Sequence, residues 1–89
     1  MIERTLRIRN KLGLHARAAV KFVNTANRFQ ADVRVVVGGS DVDGKSILGI
    51  LTLAAVQGTD IVVRLTGADE AAAGQALAEL LDNRFGEKE

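Results

Sequence analysis

The chain has 89 residues, 47% of them hydrophobic, and a formal net charge of +1. That length suits one domain over residues 1–89 with one modest core, and it leaves no room for a buried catalytic cavity. The lack of cysteine excludes a disulfide framework and a thiolate metal site, and the lack of Trp and Tyr removes the stacking platforms that single-stranded nucleic-acid binders use.

At the N-terminus, Ile2, Leu6 and Ile8 share one parity with charges mostly on the other, which predicts a half-buried strand. This charged, alternating segment is unlike a signal peptide. From Ala16 to Arg28, a helix is expected: Ala19, Phe22, Val23 and Ala26 recur as a core-facing stripe, while Arg17, Val20, Asn24 and Asn27 occupy another face. Phe29 closes the stripe. Asp32 to Val37, with Val33, Val35 and Val37 on one side, predicts a second strand. Gly38-Gly39 signals a tight turn into a short third strand over Ser40 to Asp43.

Ile47 to Ala54 suits a short helix running into an apolar connection, and the apolar run from Ile47 to Val56 is too short to span a bilayer. A reduced cytoplasmic location is the default. Asp60 to Thr66 is the fourth strand, with Ile61, Val63 and Leu65 inward. After Gly67, Asp69 and Glu70 open a last helix with their charge set against its dipole. Ala73, Ala76, Leu77, Leu80 and Leu81 form the expected buried stripe, which ends near Phe85-Gly86. One antiparallel sheet with helices on a single face buries all these stripes, an α+β arrangement in the order βαββαβα.

The one histidine stands in Gly13-Leu14-His15-Ala16-Arg17, where the strand pattern gives way to the helix pattern. Its free ring nitrogen is a competent nucleophile near neutral pH. Arg17 adds a fixed cation whose planar fork of donors suits phosphate oxygens. A helix starting at Ala16 adds the unpaired backbone N–H groups of Ala16 and Arg17 and the positive end of its dipole. Together these groups describe a site that carries a phosphoryl group on His15. The competing reading is a histidine that caps the helix or fills a crevice. Arg4, Arg7, Arg9 and Arg17 crowd this end of the chain, and a solvated strand face accounts for most of them.

The Gly-Leu-His-Ala-Arg run, with a second segment Gly44-Lys45-Ser46-Ile47-Leu48-Gly49-Ile50-Leu51 at matching spacing, resembles the histidine phosphocarrier (HPr) family of the bacterial phosphoenolpyruvate:sugar phosphotransferase system. The likeness covers nearly the whole chain. It implies an open-faced β-sandwich of four strands and three helices, and a phosphoryl carrier rather than an enzyme. It further implies phosphorylation at Nδ1 of His15, the phosphotransferase first enzyme as donor and sugar-specific proteins as acceptors. A serine kinase/phosphorylase acting on Ser46 is implied as well. The expected protein is a monomer with no cofactor, no metal, no nucleic acid and no membrane insertion. Ala18-Ala19 stand where the family commonly has Pro-Ala. Alanine gives up the backbone angle that proline pre-sets in a first helical turn but keeps good helix propensity.

Ser46 precedes an apolar helical run and occupies an N-cap place, although Gly49 rules out the reciprocal capping box. Val20 and Asn24 lie three and seven residues after Arg17 on one helical face. With Ile47, Leu48 and Leu51 they make a candidate docking surface, rimmed by Arg17, Lys21 and Lys45, that donor and acceptor use in turn. Gly39 to Ser46 matches the G-x-x-x-x-G-K-S phosphate loop outright, yet Asp41 and Asp43 sit inside the would-be cradle and repel a nucleotide. Asp69-Glu70 and Glu87-Glu89 read as helix-start and tail charges. Two alternatives remain: a paralogue serving a nitrogen-related phosphorelay through other partners, and a non-catalytic interaction module in which His15 is structural.

Overall fold

The alternating segments form strands and the 3.6-residue stripes form helices in the computed structural model, which describes residues 1–89. In chain order these are β1 (Ile2–Arg7), α1 (Ala16–Ala26), β2 (Asp32–Val37), β3 (Ser40–Asp43), α2 (Ile47–Thr52), β4 (Asp60–Thr66) and α3 (Glu70–Asp82). A 3₁₀ turn at Arg84–Gly86 follows. The strands make one antiparallel sheet in the order β1-β4-β2-β3. Val35 stands opposite Val63 and Val33 opposite Leu65, a register that puts the buried side chains of β2 and β4 on one face, while Val36 and Val62 pair half-buried on the other. Phe22 of α1, Ile50 of α2 and Leu77 of α3 cover that face and are fully buried. Each such burial contributes about 1.5–3 kcal/mol.

The other face is polar and laced across the strands. Arg7 and Asp60, direct neighbours in the β1–β4 register, meet at 2.9 Å, as do Glu3 and Arg64. Arg34 reaches diagonally to Asp41 at 3.0 Å. On the helix side, Arg9 pairs with Asp82 of α3 at 3.3 Å, and Arg4 donates to Gln75 of α3 at 3.3 Å. These contacts sort the four N-terminal arginines: three hold the scaffold, and Arg17 alone has no side-chain partner.

Several boundaries differ from the sequence expectation. α1 stops at Ala26 instead of Arg28, because the N–H groups of Arg28 and Phe29 turn back to Thr25 and Ala26. α2 ends at Thr52, and Ala54 then takes a positive φ of 50°. The buried stripe of α3 is rotated to Ala73, Gly74, Leu77, Ala78 and Leu81, leaving Ala76 and Leu80 half-buried. The helix rests on its small residues there; a Cβ at Gly74 would stand 3.1 Å from Cδ of Arg4. Gly39 to Ser46 is a hairpin strand and turn, with Gly44 packed against Val33 and donating its N–H to the Val33 carbonyl at 2.7 Å.

Asp69 corrects a further expectation. It stands at the N-cap of α3 without capping it, and its carboxylate instead accepts the N–H groups of Gln30 and Ala31, each at 2.8 Å. The bond from Gln30 is the main reason its carboxyl sits below the usual range. Glu70 is held low chiefly by the Gly67 N–H and also pairs with the N-terminal amine at 3.2 Å. A depressed carboxyl contributes stability that is present above its unfolded value and lost as pH falls through its folded one. The urea midpoint should therefore drop on acidification from about pH 5 toward pH 2. Asp69→Asn should lower the midpoint at neutral pH and change it little at the acid end; an equal loss at both ends would contradict this role.

Candidate functional site

The connection from β1 to α1 is shaped by one close approach. Gly13 has a φ of +67°, and a Cβ there would stand 2.5 Å from the carbonyl oxygen of Ala55. The next residue, Leu14, is buried and donates its N–H to that same oxygen at 2.9 Å. The fully buried Asn10 closes the loop from beneath, its Nδ2 donating to the Gly13 carbonyl at 2.7 Å.

His15 follows as the N-cap of α1, in extended conformation at φ −74° and ψ 177°. Its carbonyl accepts the Ala19 N–H at 2.9 Å, so the N–H groups of Ala16, Arg17 and Ala18 lie ahead of the first helical bond. The imidazole makes no capping bond. Instead its Nε2 meets the Oε2 of Glu87, while Nδ1 has no partner. The ring keeps 27% of its side-chain surface accessible, enough to meet another molecule, whereas Glu87 keeps only 14%.

Glu87 reaches this place because the chain folds back after α3. Arg84 and Phe85 both take a φ of 54°, and the Phe85 side chain is buried. Lys21 of α1 donates to the Phe85 carbonyl at 2.5 Å, and the Lys11 N–H donates to the Glu89 carbonyl at 2.5 Å. Asn10 Nδ2 also donates to Glu87 Oε1 at 3.1 Å. Burial pushes the Glu87 carboxyl up, but the bonds from His15 and Asn10 and the charges of His15 and Lys21 outweigh it and leave it below the usual range. Glu87 is thus not a loose tail charge, as its position in sequence implied. Glu87 and Asn10 are the two site residues that sequence reasoning missed. No local pattern marks them, since 72 residues separate Glu87 from His15.

A shallow groove of about 290 Å³ beside the histidine is lined by Lys11, Leu12, Arg17, Glu87 and Glu89. Arg17 is exposed there, two residues along the helix from His15. Ala18 and Ala19, at the family's Pro-Ala place, are fully buried. Ser46 caps α2, its Oγ accepting the Gly49 N–H at 3.0 Å. Val20 is 39% exposed, Ile47 41% and Leu48 72%, and Asn24 is exposed as well. Leu51 departs from the expected docking surface, being half-buried against the core. Lys21 and Lys45 are tethered, the latter to the Phe29 carbonyl at 2.9 Å, so Arg17 is the unengaged cation of the expected rim. Leu12 (68%) and Val56 (65%), also exposed, were not expected. No helix is long and apolar enough to cross a membrane.

A four-stranded antiparallel open sheet with its helices on one face, and a histidine at the start of the first helix, define the class of small histidine-bearing carrier domains. Residues 2–83 match the family model described as the PTS HPr component phosphorylation site. The phosphocarrier protein HPr of Xylella fastidiosa is 52% identical over 87 residues, covering 98% of both chains. That of Neisseria meningitidis is 49% identical over the full length of both. The crystal structure of HPr from Thermoanaerobacter tengcongensis superposes over 100% of both chains with a TM-score of 0.95 at 42% identity. The chain belongs to the HPr family of the phosphotransferase system, a phosphocarrier and not a catalyst.

The Gly13 approach generates a direct test. Gly13→Ala adds a Cβ against the Ala55 carbonyl in a left-handed backbone, which should cost at least about 1–3 kcal/mol in urea unfolding. A variant as stable as the parent would show that the loop has another shape.

Proposed function

We propose that His15 accepts a phosphoryl group on Nδ1 from the phosphoenolpyruvate-dependent first enzyme and passes it to sugar-specific acceptor proteins. The observation that carries this reading is the division of labour on the ring: Glu87 occupies Nε2 and Nδ1 has no partner. Arg17, which lines the same groove as Glu87, and the open N–H groups at the start of α1 supply donors for phosphate oxygens. Together they are worth about 1–3 kcal/mol, enough to hold a phosphoryl group without trapping it. Membership of the HPr family and the match to its phosphorylation-site model support the same role.

Donor and acceptor dock in turn on one surface built from Val20, Asn24, Ile47 and Leu48, with Arg17 at its edge. These side chains are exposed beside a reactive histidine, and α1 and α2, which carry them, pack together. A shared patch that must release each partner is small and weak, with affinity nearer micromolar than nanomolar. Incubation with phosphoenolpyruvate and the first enzyme should give an acid-labile phosphate that His15→Ala abolishes. Arg17→Ala should fold normally and transfer about tenfold more slowly. Acid-labile labelling of the His15→Ala protein would overturn the assignment.

Ser46 adds regulation to its cap. Phosphorylation by a serine kinase/phosphorylase places about −1.5 to −2 charges at the start of α2, where the helix dipole accommodates them. The charge then acts on partners that approach the neighbouring docking surface. Ser46→Asp should slow phosphorylation of His15 with little change in melting temperature, whereas Ser46→Ala should lose about 1 kcal/mol of cap stability at an unchanged transfer rate. Equal transfer rates for Ser46→Asp and the parent would leave Ser46 with its cap alone.

A further inference from the structure

The polar contacts behind His15 form a chain of their own. Asn10 is fully buried and uses Nδ2 twice, toward the Gly13 carbonyl at 2.7 Å and toward Glu87 Oε1 at 3.1 Å. The first bond fixes the loop that presents the histidine. The second turns the Glu87 carboxylate so that its other oxygen, Oε2, faces Nε2 of the ring. Behind Glu87, the buried Phe85 and the bond from Lys21 to the Phe85 carbonyl anchor the returning chain. The arrangement runs from the loop through Asn10 and Glu87 to the imidazole, and each bond has one sense. An ionised carboxylate only accepts, so the ring nitrogen facing it must donate.

We infer that Glu87 is the positioning residue of the phosphoryl transfer: it holds the proton of His15 on Nε2, and so keeps the Nδ1 lone pair outward as the nucleophile. The inference rests on the reading of His15 as the phosphoacceptor. In the step itself, the Nδ1 lone pair forms a bond to the phosphorus of the phosphorylated donor protein. The bond from phosphorus to the donor's leaving atom breaks, and its electron pair departs with the donor. The ring thereby acquires a positive charge. Its Nε2 proton stays in place between Nε2 and Glu87, whose negative charge stabilises the cationic ring through a charge-assisted hydrogen bond. On transfer to the acceptor the same events run in reverse. Glu87 never touches phosphorus. It acts through the ring, as the buried aspartate of a Ser-His-Asp triad orients its histidine.

The role makes a spectroscopic prediction that a merely structural contact does not. In protein carrying ¹⁵N-labelled histidine, above neutral pH, His15 should show a protonated Nε2 with a slowly exchanging proton and an unprotonated Nδ1. Glu87→Ala should expose that proton to rapid exchange, admit the other tautomer and slow acceptance from the phosphorylated first enzyme by about tenfold. Glu87→Gln retains an accepting oxygen, so it should keep the Nε2–H tautomer and recover part of the rate. Amide spectra of the sheet serve as the check that each variant folds. Unchanged ring signals and an unchanged rate in folded Glu87→Ala would overturn the inference while His15 labelling of the parent leaves the phosphoacceptor reading intact. A parent protein that takes no label on His15 would overturn both.

Discussion

The place of the histidine is set by a contact that contains no histidine. Backbone at Gly13 lies so close to the Ala55 carbonyl, and in so left-handed a conformation, that only glycine fits without strain. The same carbonyl takes the Leu14 N–H, and Leu14 is buried in the core. From those two fixed residues the chain enters α1 extended at His15 and helical from Ala16. The unpaired N–H groups and the dipole end therefore fall at the histidine as a consequence of core packing. The covering of the sheet by Phe22, Ile50 and Leu77 is what holds α1 at that angle.

The C-terminal return is held by a narrower margin. Two successive non-glycine residues in left-handed conformation, Arg84 and Phe85, cost about 1–2 kcal/mol each. Burial of Phe85 returns about 1.5–3 kcal/mol, which roughly offsets them. The balance then falls to the polar contacts: Lys21 on the Phe85 carbonyl, Asn10 and His15 on Glu87, and Lys11 on the Glu89 carbonyl. The segment thus depends on its polar contacts for its place more than on its apolar burial.

The scaffold was legible in the sequence wherever one face of an element is apolar and the other charged. β2, β3 and β4 fall on the residues that valine patterning and the Gly38-Gly39 turn pick out. α3 was less legible, because a reading that favours large side chains places Leu80 in the core, whereas the helix packs closest through Gly74 and Ala78. His15 and Arg17 were visible because they lie two residues apart at a change of period. What the structure adds is the work of the other three arginines, Arg4, Arg7 and Arg9, whose partners lie on β4 and α3. Glu87 and Asn10 were invisible for the same reason, since their contacts close over most of the length of the chain. Asp69 looked like a dipole acid and is a staple between α3 and the α1–β2 connection, a role that nothing local announces.

The division of the imidazole between a carboxylate and an incoming phosphoryl group is the central claim, and it is open to one direct measurement. Phosphorus–nitrogen coupling in the phosphorylated protein, recorded with ¹⁵N-labelled histidine, reports which ring nitrogen carries the phosphate. Coupling to Nδ1, with the proton retained on Nε2, is the predicted result. Coupling to Nε2 would require Glu87 to be displaced by the group it is said to make way for, and would contradict the arrangement of the site.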